Sequence, residues 1–212
     1  LDGSREVAEI LEQFPDIPGE EVTQTLKMLA GKGLIEDAAT TPEAGSAQER
    51  FYRMAFRGGR EVPDLLGQSR VVVFGLGRVG SHAVAALARS GAGSITGVDS
   101  GTVDESLIQC GGLYLPADAG CNRAEAAGRR LAGIAPAAVF EGVSAAAEGP
   151  GAVAEIIRGS ALVLVCEDSP AVSTYRVVNE AALKEGVRWL RAGLEGFEAH
   201  LGPCVIPNET AC

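Results

Sequence analysis

Apolar residues follow two different rhythms along this chain. In the opening LDGSREVAEILEQFPDIPGE, Val7, Ile10, Leu11 and Phe14 recur at helical spacing behind Ser4, a natural N-cap, which predicts a helix over 5–14. Pro15 and Pro18 end it. A second helix is expected over 20–32, with Val22, Leu26 and Leu29 on one face and Gly33 just past its end. Leu34 and Ile35 then turn away as a short extended tail. Helix, turn, helix and tail make up much of a winged-helix fold, so residues 1–37 are expected to form a partial winged-helix element. AATTPEAGSAQE, residues 38–49, has no period and reads as a linker.

From residue 50 the rhythm changes to short apolar runs set between helical segments. Strands are expected over 71–74, 94–98, 137–141, 161–166 and 187–191, alternating with helices over 80–90, 122–133, 151–158 and 170–185. That alternation predicts an α/β domain: a doubly wound, Rossmann-like, mostly parallel sheet. Its ligand crevice should lie at the carboxyl ends of the strands, where Gly75, Asp99 and Asp168 fall. The run VVVF enters Gly75-x-Gly77-x-x-Gly80 and then a helix. Gly75 permits the tight turn, Gly77 lets backbone approach a phosphate, and Gly80 lets helix and strand pack closely. The helix N-terminus offers N–H groups to an anion. Asp99, ending the next strand, is placed to accept hydrogen bonds from a ribose. This pattern favours a nucleotide over a turn kept for packing alone, but it does not choose NAD over ATP.

Composition narrows the classes. The chain has 212 residues, 46% hydrophobic and 22% charged, enough for a sizeable core. No apolar run approaches the ~20 residues that span a bilayer, and no signal peptide is visible. Lys and Arg number 18 against 28 acidic residues, a formal charge of −10, which disfavours nucleic acid as a partner of the helical start. The lysines are Lys27, Lys32 and Lys184. Five cysteines (110, 121, 166, 204 and 212) form no CxxC, which suits a cytoplasmic protein with unpaired thiols. Cys166 and Trp189 lie in apolar runs and read as core. His82 reads as structural and Arg129-Arg130 as a solvated helix face. The chain opens at Leu1 without a methionine, so an upstream piece is expected.

Beyond Asp99 the chain resembles a known superfamily. VDSGTVDESLIQCGGLYLPADAGCNRAEAAGRRLAGIAP is similar to the ThiF-like, ubiquitin-activating-enzyme-like proteins. In them the second strand ends in Asp-x-Asp-x-Val, followed by Ser-Asn-x-x-Arg-Gln, then Gly-x-x-Lys opening a helix; a later strand ends in Cys-x-Asp, here Cys166-Glu167-Asp168. The resemblance covers about residues 50–212. It implies ATP and magnesium chemistry that adenylates a carboxylate, with Asp168 at the magnesium position, and so sets NAD aside. The polar set is damaged, however. Gly101 stands at the second acid, Leu107 at the asparagine, Cys110 at the arginine and Arg123 at the lysine, although Ser106 and Gln109 are kept. Groups that stabilise charge at a phosphate act as a coupled set. Adenylation is therefore read as lost, and Gly75, Gly77, Gly80, Asp99, Arg123 and Asp168 as a degenerate nucleotide site.

The ending GFEAHLGPCVIPNETAC is similar to the subgroup that partners YcaO cyclodehydratases in making azole-containing ribosomal peptides. Its members carry a winged-helix peptide-recognition element ahead of the ThiF-like domain. The resemblance implies a protein that is not an enzyme by itself. It would bind a precursor's leader peptide and present the core to the YcaO enzyme, with Lys27 and Leu34 expected on the peptide-binding side. Strands that would take the peptide are expected before Leu1. Cys212 is expected to open a CxxC zinc pair in a longer chain, with the ThiF-like domain truncated here at its C-terminus. Cys204 is not expected to take part. A homodimer stays open, and an active adenylating enzyme is the alternative reading.

Overall fold

The computed structural model describes residues 4–35, 37, 46–56, 59, 61–168 and 172–210. The chain divides into two compact units, residues 1–63 and 64–212.

In the first unit, α1 (Val7–Glu12) and α2 (Gly19–Gly31) are the two expected helices. Helix α1 starts at Glu6, whose N–H donates to Glu9 Oε2 at 2.9 Å, so Ser4 is not its cap. After α2 the described residues 32–35 and 37 form no strand. No residue of α1 or α2 is buried. The expected linker stops short of residue 49. Ser46 caps α3 (Ala47–Ala55) in a reciprocal box, its Oγ accepting from Glu49 N–H at 3.1 Å while its own N–H donates to Glu49 Oε2 at 2.9 Å. Residues 38–45 lie outside the described residues.

The second unit begins within α4 (Val62–Gln68). Its strands are β1 (Arg70–Phe74), β2 (Ser94–Val98), β3 (Val139–Val143), β4 (Leu162–Glu167), β5 (Trp189–Glu195) and β6 (Glu198–Val205). They form one six-stranded sheet in the order β3-β2-β1-β4-β5-β6, parallel except for the antiparallel β5–β6 pair. This is the expected doubly wound α/β fold. Between the strands run α5 (Arg78–Arg89), α6 (Glu105–Gln109), α7 (Arg123–Ile134), α8 (Pro150–Ile157) and α9 (Val172–Glu185).

Burial explains the order. In β1 and β4 the apolar runs VVVF and VLVC are buried throughout, as strands covered on both faces require. One core lies against α5 and α7 around Val73, Leu76, Val84 and Leu131; the other lies against α8 and α9 around Phe74, Ile157, Val165 and Val178. Each such side chain contributes ~1.5–3 kcal/mol by leaving water. Edge strand β3 is mostly exposed and starts at 139 rather than 137. The sequence pattern predicts no strand where β6 lies. Its EAHLGPCV mixes charge, glycine and proline, a composition tolerated at a sheet edge.

Candidate functional site at the carboxyl ends of the strands

The site is built where β1, β2 and β4 end side by side. Val71–Phe74 pair with Ile95–Val98 on one side and with Leu162–Val165 on the other. Beyond β1 the backbone turns at Gly75, with φ of 84°. A Cβ on Gly75 would meet the Cys166 carbonyl oxygen, and one on Gly80 the Gly75 carbonyl oxygen. Both glycines are therefore demanded by close approach. Helix α5 begins at Arg78, with Gly77 as its N-cap.

Asp99, one residue past β2, clamps this turn. Its Oδ2 accepts the Leu76 N–H at 2.7 Å and its Oδ1 accepts the Gly101 N–H at 2.7 Å. The Leu76 carbonyl is held in turn by the hydroxyl of Tyr114, which donates at 2.7 Å and is 2% exposed. Burial first, then the Asp99 charge, pushes the Tyr114 phenol above its ordinary pKa of 10.0, which keeps that proton in place.

Arg123 opens α7 and does not point outward. Its Nε donates to the Thr102 carbonyl at 2.9 Å, one Nη lies 3.4 Å from Asp99 Oδ2, and the other lies 3.8 Å from Asp104. Gly101 makes room for it, since a Cβ there would lie 3.1 Å from the guanidinium carbon. Asn122 fixes the same corner: its Oδ1 accepts from the Ala124 and Glu125 N–H groups, and its amide donates to Ser144 Oγ at 2.9 Å. Leu107 is 3% exposed and belongs to the core, and Cys110 caps the end of α6 in solvent. Neither offers a phosphate a strong partner.

Asp168, one residue past β4, lies on the α5 N-terminus. Arg78 N–H reaches both of its oxygens, at 2.9 and 3.1 Å. A Cβ on Gly77 would strike this carboxylate. Next to it, burial raises the Glu167 carboxyl above its ordinary value of 4.5, helped by the charges of Asp99 and Asp168. Burial also pushes the Cys166 thiol up to about 12, which removes it as a nucleophile.

The structure thus brings Gly75, Gly77, Gly80, Asp99, Arg123 and Asp168 together at the carboxyl ends of the strands. The turn's backbone fits an anion. The side chains as they stand do not fit a triphosphate, because the arginine is bound to acids and an acid lies on the helix N-terminus. Tyr114 and Asn122 are the positioning residues that sequence reasoning missed. Asn122 carries a signal, an N-cap residue with Glu125 three places on, and Tyr114 carries none. His82 is exposed rather than packed. Arg130 is no solvated face: its Nε donates to the buried Asp118 at 2.6 Å, with Arg129 3.5 Å away.

Lys27 and Leu34 in the first unit are both exposed, and neither lines the apolar groove of that unit. That groove, about 390 Å³, runs between α1 and α2 and is lined by Ile10, Phe14, Ile17, Val22, Leu26 and Leu29, with Glu21 beside them. Cys212 lies outside the described residues. Among the described residues no group of His, Cys, Asp and Glu is arranged to hold a metal, and no helix is long and apolar enough to cross a membrane.

Known proteins share this fold. The chain is 30% identical over 152 residues to the SAMP-activating enzyme E1 of Haloferax volcanii, covering 69% of this chain and 55% of that protein. It is 30% identical over 171 residues to the sulfur carrier protein ThiS adenylyltransferase of Bacillus subtilis, covering 79% and 48%. The chain thus spans about half the length of these curated relatives. Among solved structures, E. coli MccB with ATP superposes with a TM-score of 0.82 at 21% identity, covering 98% of this chain and 62% of that one. A structure described as the microcin C7 biosynthetic enzyme MccB in complex with N-formylated MccA gives 0.81, also at 21% identity, covering 98% and 60%. The model of the ThiF family matches residues 50–212, and the chain belongs to that family.

Proposed function

We propose that this protein is a non-catalytic scaffold that binds the leader of a ribosomal precursor peptide and presents it to a YcaO cyclodehydratase for thiazoline and oxazoline formation. The observation that carries the reading is Arg123. At the position where the family resemblance expects a lysine, its fork is bound to Asp99, the Thr102 carbonyl and Asp104. A guanidinium satisfied by two acids has no reason to reach for a phosphate. With Leu107 in the core, the coupled polar set that adenylation needs is missing.

The groove between α1 and α2 supports the peptide half of the reading. It is an apolar surface on a helix pair with no buried residues of its own, suited to a peptide with spaced apolar anchors. E. coli MccB, of similar fold, is solved with MccA. In this reading the protein works in the cytoplasm, zinc is held through Cys212 in a longer chain, and ATP is used by the YcaO partner. An active adenylating enzyme is the second reading. It is favoured by the intact glycine turn, Asp99 and Asp168, and by the two adenylyl- and protein-activating relatives.

Two measurements separate them. A fluorescent leader peptide titrated into the protein should bind, and Thr25→Arg, at an exposed position on the groove, should weaken it about tenfold without changing the melting temperature. Weakening by Lys27→Glu and not by Thr25→Arg would put the leader on the outer side of α2 instead. ATP–pyrophosphate exchange with any peptide carboxylate should stay at background. Exchange above background that is lost on Asp168→Ala would establish the adenylating enzyme.

A further inference from the structure

We infer that the groove between α1 and α2 receives a positively charged amphipathic helix, so that the leader this protein binds carries lysine or arginine beside its apolar anchors. The first half stands on the groove alone, and the second rests on the leader-binding reading above.

The floor of the groove is apolar and its surroundings are acidic. Phe14 and Ile17, two of its lining residues, stay 45% and 44% exposed, so a partner can still remove apolar surface from water here. Glu21 lines the groove beside them, Asp16 lies between Phe14 and Ile17, and Glu20 stands in the first turn of α2. All three carboxylates are exposed, and none forms an ion pair with another described residue. Of the basic residues, Arg5 is taken by Gln13 Oε1 at 3.0 Å, Lys27 does not line the groove, and Lys32 sits at the far end of α2. The imbalance is regional: residues 1–37 hold nine acidic residues against three basic ones, a net charge of −6 out of −10 for the whole chain. Charge of this sign draws in a cationic partner and repels an anionic membrane surface. A second copy, equally acidic here, is disfavoured for the same reason. Among its described residues this unit has no strand, so the groove offers side chains rather than a backbone edge. That suits a helix with apolar anchors at i, i+3, i+4 and i+7. Exposed ion pairs are individually weak, so the preference comes from several acting together.

Two labelled probe peptides of about 16 residues, long enough to hold a helix, test this. They share one leucine spacing and carry either lysine or glutamate at the flanking positions. Each is titrated into the protein by fluorescence anisotropy at about 50 mM and about 500 mM salt, which give weak and strong screening. The lysine probe should bind about tenfold more tightly than the glutamate probe at the lower salt, and the gap should shrink at the higher one. Asp16→Asn combined with Glu21→Gln should narrow the gap several-fold, and Thr25→Arg should abolish binding of the lysine probe. Glu148→Gln, at an exposed site in the second unit, should change nothing. Circular dichroism checks that each variant keeps the parent's helicity, and the salt series on the parent decides if the double variant does not. Equal affinity for the two probes, no binding of either, a gap that survives neutralising Asp16 and Glu21, or lysine-probe binding unaffected by Thr25→Arg overturns the inference. Self-association of the parent that Thr25→Arg abolishes would seat a second copy in the groove and overturn it as well. The leader titration is read separately. A leader that binds in the groove while the two probes bind alike sinks this inference and leaves the leader-binding reading. A lysine probe that the leader cannot displace removes that reading and leaves the charge preference of the groove standing.

Discussion

A Cβ on Gly101 would lie 3.0 Å from Asp99 Oδ1 and 3.1 Å from the Arg123 guanidinium carbon, so the glycine at 101 and the arginine at 123 depend on each other. The sequence shows them as two separate departures from the family pattern. In the structure they form one change, in which the arginine folds back into space that a side chain at 101 would take. Gly101→Asp alone should cost about 1 kcal/mol, by crowding Arg123 and setting a second carboxylate beside Asp99. Arg123→Lys alone should cost about as much, by losing the Thr102 and Asp104 contacts. Made together, the shorter lysine gives the new aspartate room and a partner. The double variant should then be more stable than the sum of the singles by roughly 1 kcal/mol. Urea unfolding of the four proteins measures this, and strict additivity would show that the two positions are independent.

Between the end of α6 and the start of α7, a buried acid adds order to that given by the buried Leu113 and Tyr114. Asp118, 1% exposed, ends a 3-10 turn and accepts from Arg130 Nε at 2.6 Å and from the Leu115 N–H at 2.9 Å. Burial works to raise its pKa, but these hydrogen bonds and the Arg130 charge outweigh it, and the carboxyl is held below its ordinary 3.8. A depressed folded-state pKa adds stability that is present above the unfolded value and lost as pH falls through the folded one. Arg130→Ala should therefore cost about 2 kcal/mol near pH 7, and the gap to the parent should close below about pH 4. A gap that is constant across an acid series of melts would mean that Arg130 acts by packing alone. This contact also shows what can be read from the sequence. Strands β1 and β4 are legible because their runs VVVF and VLVC are continuously apolar and lead into a glycine or an acid. The glycine turn, Asp99, Arg123 and Asp168 are legible because they occur in the order of a motif. The Asp118 clasp, the Tyr114 hydroxyl on the turn and edge strand β6 are not. Each depends on a partner distant in sequence or on an edge where no periodicity is enforced. The SAQE box before α3 has a capping signature, but its small polar residues give it the look of linker.

At the scale of the molecule, apolar burial is unevenly divided between the two units. Every residue of both core clusters lies between Val71 and Val205, so the second unit contains its own interior on both faces of its sheet. In the first unit α1, α2 and α3 have no buried residue, while Val7, Phe14, Ile17, Met28, Phe51, Met54 and Phe56 are exposed. Helices this short are marginal in water without tertiary packing, and unburied apolar side chains add little to stability. The expected outcome is that residues 64–212, made alone, unfold in one cooperative transition with nearly the melting temperature of the whole chain. Residues 1–63, made alone, should show weak helicity and no transition. Adding a leader peptide to the whole chain should then raise protection from hydrogen exchange in α1 and α2 while leaving β1 and β4 unchanged, because binding adds stability only where the local folding free energy is low. If residues 64–212 fail to fold without the first unit, the sheet's own cores are insufficient. If the leader protects the sheet and not the helices, the peptide site has been placed in the wrong unit.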